Sequence, residues 1–185
     1  MVSQSHLRTK LFFIGILFFA IWNVACVSGT NPSTPPIFIP FEAQKSGMSL
    51  TTELRIKEHR VYIFALMVKS KDVNNMEAGR KLLKLLGRYS RDKEGKLVWP
   101  GISIPVKLKV FEIKSSGEKV LYDKEIFEEA MMSGGPRGFA KLIDSIPLKA
   151  GHYRVTIRSL ENTPELFGYP ISLGIYQWPN AEPLS

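Results

Sequence analysis

Two stretches of this chain alternate apolar and polar residues with a period of two, and that period decides what the chain can build. Residues 48–57 (MSLTTELRIK) set Leu50, Thr52, Leu54 and Ile56 on one side and Thr51, Glu53, Arg55 and Lys57 on the other. Residues 102–114 (ISIPVKLKVFEIK) set Val106, Leu108, Val110 and Glu112 against Lys107, Lys109, Phe111 and Ile113. Successive side chains of a strand point to opposite faces, so both stretches read as half-buried β-strands. A third run, residues 60–69 (RVYIFALMVK), is nearly all apolar and reads as a central strand. It is expected to pair with residues 48–57 in a hairpin whose tip is residues 57–60. Further strands are expected at residues 37–43, where Pro40 argues for an edge, at 119–127 and at 169–178.

One stretch departs from the period. Over residues 72–87, Val73, Met76, Leu82, Leu83 and Leu86 share a broad helical stripe, while Arg80, Lys81 and Lys84 lie off it. Asp72 is expected to cap this helix and Gly87 to end it. Its basic side fits either open water or anionic headgroups. Residues 130–138 (AMMSGGPRG) are rich in glycine but lack the Lys-Ser/Thr ending of a phosphate loop. They read as a surface loop, and Gly134, Gly135 and Arg137 are the candidate binding residues on it.

Residues 148–157 (LKAGHYRVTI) have the form L-x-x-G-x-Y-x-V. Leu148 ends one strand, Gly151 turns the chain and Tyr153 opens the next strand. The motif resembles the tyrosine corner of Ig-like sandwiches, whose hydroxyl bonds back across the turn. It implies that Tyr153, Val155 and Ile157 point inward and Arg154 and Arg158 outward. Seven or eight short strands and one helix in a long connection make the expected fold mainly β: an Ig-like antiparallel β-sandwich over residues 37–179, with a polar tail at 180–185.

The start of the chain carries an address. Arg8 and Lys10 precede an unbroken apolar run from Leu11 to Trp22, and residues 24–26 read Val-Ala-Cys. A basic start, a short apolar core and small residues at its end are the parts of a secretory signal, here residues 1–25. The run is shorter than the roughly 20 residues that span a bilayer comfortably. A small residue before a cysteine at this place resembles the lipobox of bacterial lipoproteins, with Asn23 where that family usually has Leu. The resemblance implies cleavage before Cys26 and acylation of its sulfur and amino terminus. Cys26 is the single cysteine of the chain, so no internal disulfide competes for it. An uncleaved anchor and plain secretion stay open as alternatives. Residues 26–36 would then be a lipidated cysteine and a flexible, proline-rich tether. Val27, where enterobacterial lipoproteins retained at the inner membrane carry Asp, points to the outer membrane.

The formal net charge is +8. A basic exported domain suits anionic lipid, acidic glycan or an acidic protein; the export signal and the lack of a recognition motif argue against nucleic acid. Catalytic patterns are missing. His59 and His152 lie far apart in sequence and in no metal-ligand spacing, so neither metal nor cofactor is expected. No G-x-S-x-G occurs. Glu125, Glu128, Glu129, Glu161 and Glu165 are the carboxylates from which a glycan hydrolase would have to draw its pair. Tyr89, Trp99, Tyr169, Tyr176 and Trp178 are the aromatics a glycan-binding face would use.

Taken together, signal, lone cysteine, short linker and L-x-x-G-x-Y-x-V sandwich resemble small proteobacterial lipoproteins, some of which act as periplasmic immunity proteins against a delivered toxin. The resemblance implies a membrane-anchored, non-catalytic envelope protein that binds a protein partner. A glycan-binding module or weak glycan hydrolase is the alternative.

Overall fold

A computed structural model describes residues 32–87, 90–91, 93–95, 97–98, 101–127, 130–135 and 137–177. The signal, Cys26 and the tail at 180–185 lie outside these residues. The elements are β1 (Ile37–Pro40), β2 (Ser49–Ile56), β3 (Arg60–Lys69), α1 (Met76–Leu86), β4 (Ser90–Arg91), β5 (Leu97–Val98), β6 (Val106–Lys114), β7 (Gly117–Ile126), β8 (Ala130–Gly135), β9 (Gly138–Leu148), β10 (Gly151–Ser159) and β11 (Ile171–Gln177). Two antiparallel sheets face each other, one ordered β1-β11-β3-β9-β8 and the other β2-β10-β6-β7; β4 and β5 form a separate two-residue ladder. The β-sandwich expected from the alternating strands is therefore the architecture, with nine strands in its two sheets instead of seven or eight.

The added strand is β8. Residues 130–135 were expected to be loop because glycine is depleted in strands. Pairing with β9 overrides that preference: Gly134 lies opposite Phe139 and Gly135 opposite Gly138, with an irregularity between Met131 and Ser133. The expected hairpin of β2 and β3 is also corrected. β2 pairs β10, and β3 pairs β9 and β11, so the short link at residues 57–59 crosses from one sheet to the other. The reason is burial. β3 is apolar on both sides because it is buried on both, with Tyr62, Phe64, Leu66 and Val68 in the core and Ile63 and Ala65 on the opposite side. β2 alternates because its other side, with Glu53 and Arg55, is exposed. A doubly buried strand belongs in the middle of its sheet and a half-buried one suits an edge.

The core lies between the sheets. Leu54 and Ile56 from β2, Leu108 and Val110 from β6, and Val155 and Ile157 from β10 meet Phe64, Leu66, Leu173 and Ile175 from the other sheet. Helix α1 closes the side of the sandwich near β8 and β9, burying Gly79, Leu82 and Leu86. Its cap is Asn75, not the expected Asp72: the Asn75 side-chain oxygen accepts from the N–H groups of Glu77 and Ala78. Asp72 instead holds the preceding turn, accepting from Asn74. Gly87, at φ +81°, ends the helix as expected. Gly101 then passes so close that a Cβ there would sit 1.8 Å from the Leu86 carbonyl oxygen, so only glycine fits. Val73 and Met76, expected on the buried stripe, project outward.

Candidate functional site

Strand direction divides the sandwich into two poles. At one pole lie the 57–59 link, the β6–β7 turn, the β9–β10 turn and the start of β1. At the other lie the connections β1–β2, β3–α1, β8–β9 and β10–β11.

The first pole is closed by tyrosines. The Tyr153 hydroxyl donates to the Lys149 carbonyl at 2.8 Å, which is the bond the L-x-x-G-x-Y-x-V motif predicts. Leu148 and Tyr153 are each buried; Gly151, expected to turn the chain, is instead the first residue of β10, paired with Ile56, so the turn is residues 149–150 and Tyr153 is the third residue of the strand. Val155 and Ile157 are buried beside it, while Arg154 and Arg158 reach the outside. A second tyrosine does the same work and was not anticipated. The Tyr62 hydroxyl donates to the Glu58 carbonyl at 3.1 Å, also four residues back, and accepts from the Gln177 amide. Its signal, Glu58-x-x-x-Tyr62, runs from the residues read as a hairpin tip into the strand that follows. Burial first, and then the neighbouring Glu112 carboxylate, push the Tyr153 hydroxyl above the ordinary tyrosine range. Ser33 lies parallel to β2 opposite Leu54, donating to the Glu53 carbonyl at 3.0 Å and accepting from the Arg55 N–H at 2.9 Å, and runs toward this pole, where β1 begins. The expected tether of residues 26–36 is therefore held from Ser33 onward.

The second pole gathers loops. Arg137 occupies the β8–β9 turn and its carbonyl accepts from the Ser70 N–H at 3.0 Å, which sets it beside the β3–α1 connection. The next residue, Lys71, places its ammonium 4.4 Å from the centre of the Tyr169 ring, a cation–π contact. On the connections of this pole and at the start of α1, Val73, Met76 and Phe167 are 43%, 63% and 47% exposed. The backbone beneath is pinned. Phe41 N–H donates to Ile171, Thr163 N–H to Gln44, and the Ser46 hydroxyl to the Leu160 carbonyl. Three large apolar side chains and the exposed Arg137 thus stand on a fixed base. Arg137, picked out from the sequence, belongs to this surface; Gly134 and Gly135 lie in the adjoining edge strand rather than in a loop. Lys71, Val73, Met76 and Phe167 were missed as site residues, because sequence spacing alone does not bring residues 71–76 next to 167–169.

Glu125 bonds Lys107 at 3.0 Å on the outer face of β7, Glu161 and Glu165 are exposed in the β10–β11 connection, and Glu128 and Glu129 lie outside the described residues. Among the described residues no three His, Cys, Asp or Glu side chains group as a metal site, and no helix is long and apolar enough to cross a membrane. Tyr176 stacks on Phe38, ring centres 6.1 Å apart, away from Tyr169; Tyr89, Trp99 and Trp178 lie outside the described residues.

Comparison with known proteins agrees with this architecture. A crystal structure of a protein from Sulfurospirillum deleyianum superposes with a TM-score of 0.66 at 23% identity, covering 81% of this chain and all of that one. At that identity the likeness speaks for the fold alone. No curated protein matches the chain. The model of the domain of unknown function DUF5625 matches residues 38–177, from β1 to the end of β11, and the chain therefore belongs to that family.

Proposed function

We propose that this protein is an exported lipoprotein, anchored through Cys26, that binds a protein partner without catalysis through the pole carrying Arg137, Val73, Met76 and Phe167. The observation that supports this reading most is that Val73, Met76, Phe167 and Arg137 all stand exposed at one pole, while the other pole is closed by buried tyrosines. Exposed apolar residues with an arginine among them have the composition of an interface centre. A role as a toxin-neutralising immunity protein at the envelope, facing the periplasm, fits this arrangement and remains the finer reading.

The anchor is tested by intact mass of the protein extracted from membranes. The expected product starts at Cys26 and carries acyl chains; an unmodified chain retaining residues 1–25 removes the anchor. The binding pole is tested by capture from solubilised envelopes with the parent protein and with the variant Met76→Ser/Phe167→Ser. A partner retained by the parent and lost by the variant supports the assignment. Equal capture by both removes it.

A further inference from the structure

Strand β2 lies at the edge of its sheet, and its backbone groups alternate in direction along the strand. Ser33 donates to the Glu53 carbonyl and accepts from the Arg55 N–H on the free side. The odd-numbered residues of β2 therefore turn their backbone groups to that side, and the even-numbered ones turn theirs to β10. Among the described residues, no backbone bond reaches the Ser49 carbonyl, either group of Thr51 or the Glu53 N–H. A bare edge of this kind is a template for another strand.

We infer that residues 29–33 of this chain (GTNPS), of which 29–31 lie outside the described residues, occupy that edge as a short strand parallel to β2. The bridge between Ser33 and Leu54 sets the register. Two residues back, Asn31 falls opposite Thr52, donating to the Thr51 carbonyl and accepting from the Glu53 N–H. Two further back, Gly29 falls opposite Leu50, donating to the Ser49 carbonyl and accepting from the Thr51 N–H. Every group left bare above is then paired. The proline favours this register. Only alternate residues of the added strand bond to β2, and Pro32 falls between them, where an N–H would point to open water. A slip of one residue would set Pro32 against β2 with its donor missing. In its proper place it blunts the new outer edge.

The direction of this strand decides where the anchor stands. β2 runs from the β1–β2 connection, at the loop pole, to the 57–59 link at the tyrosine pole. A parallel strand followed backward from Ser33 therefore leads to the loop pole. Gly29 lies ~13 Å nearer that pole than Ser33, and Cys26 can reach ~10 Å beyond Gly29. The next step rests on the lipidation of Cys26 proposed above. The loop pole, with Arg137, Val73, Met76 and Phe167, then faces the bilayer, and its partner is one seated at the same membrane.

Amide exchange in the full chain, followed by NMR in detergent, tests the strand whether or not Cys26 is acylated. The Thr51 and Glu53 amides are expected to exchange roughly tenfold or more slower in the parent than in Asn31→Pro, which removes a bonding donor. Thr30→Pro, which like Pro32 falls on the water side, is expected to leave them slow. Equal rates in the parent and Asn31→Pro overturn the strand, and fast exchange in Thr30→Pro overturns its register. Unchanged protection in β10 confirms that each variant is folded. The place of the anchor is tested on vesicles of phosphatidylcholine and phosphatidylglycerol that carry a rhodamine lipid. A donor dye on Glu165→Cys, at the loop pole, is expected to transfer energy more efficiently than one on Lys149→Cys, at the tyrosine pole. Equal or reversed transfer overturns the placement. Dye uptake by the parent protein reports a free Cys26 thiol, and so separates failure of the lipid anchor from failure of the strand.

Discussion

The two poles of this sandwich are built from the same strands and are finished in opposite ways. At the tyrosine pole the links are short, two buried rings fill the end of the core, and each hydroxyl satisfies a carbonyl four residues back. At the loop pole all connections but the β8–β9 turn are longer, their backbones are pinned to one another, and large apolar side chains are left outside. The first arrangement spends its side chains on closing the fold. The second holds the backbone with main-chain bonds and leaves its side chains free to meet something else. Closure of the core and outward display of apolar side chains thus fall at different ends of one β-sandwich.

That division is open to attack by mutation. The largest effects belong to the tyrosine pole. Tyr153→Ala and Tyr62→Ala should each cost ~3–5 kcal/mol in denaturant unfolding, because each empties a buried aromatic site. A loss below ~1 kcal/mol for either would mean that the pole does not hold the fold.

Tyr153→Phe keeps the ring and removes only the hydroxyl. It should cost ~1–2 kcal/mol, since the Lys149 carbonyl loses its donor. Tyr62→Phe should cost no more, its bond to Glu58 being longer. A double-mutant cycle reports whether the two corners act as one unit.

The pH dependence sharpens the same point. The Tyr153 hydroxyl is held above the ordinary tyrosine range, so the folded state favours its neutral form. The stability this contributes is fully present below about pH 10 and is lost as pH rises through the folded value. Thermal unfolding followed across that range should show a shallower alkaline decline in Tyr153→Phe than in the parent.

The smallest effects belong to the loop pole. Val73→Ser, Met76→Ser and Phe167→Ser should each change stability by no more than ~0.5 kcal/mol, because these side chains already face water. A loss of 2 kcal/mol or more at Phe167 would merge the two poles into one structural role.

How much of this was legible can be judged residue by residue. The L-x-x-G-x-Y-x-V motif foretold the Tyr153 bond because its partner is local: Lys149 is four residues away whatever the rest of the chain does. The inward set of β10 and the core face of β6 followed from alternation for the same reason. Tyr62 makes an equally local bond, but assigning residues 57–60 to a hairpin hid it. β8 was missed because glycine speaks against strand, and only β9 alongside outweighs it. The loop-pole surface was half seen, through Arg137; the neighbours that complete it come from residues 71–76 and 167–169.

Alternation, the tyrosine motif and the glycine at the helix end depend on contacts within a few residues, so the amino-acid order by itself determined a mainly β chain, its inward faces and one closed turn. Which strands pair, that β2 and β3 part into different sheets, that β7 lies at a sheet edge, and which apolar residues stand exposed at the pole of Arg137 were decided only in the tertiary structure. Those outcomes rest on burial shared between distant segments, and the free energy of burying β3 on both faces is a property of the assembled sandwich rather than of any stretch within it.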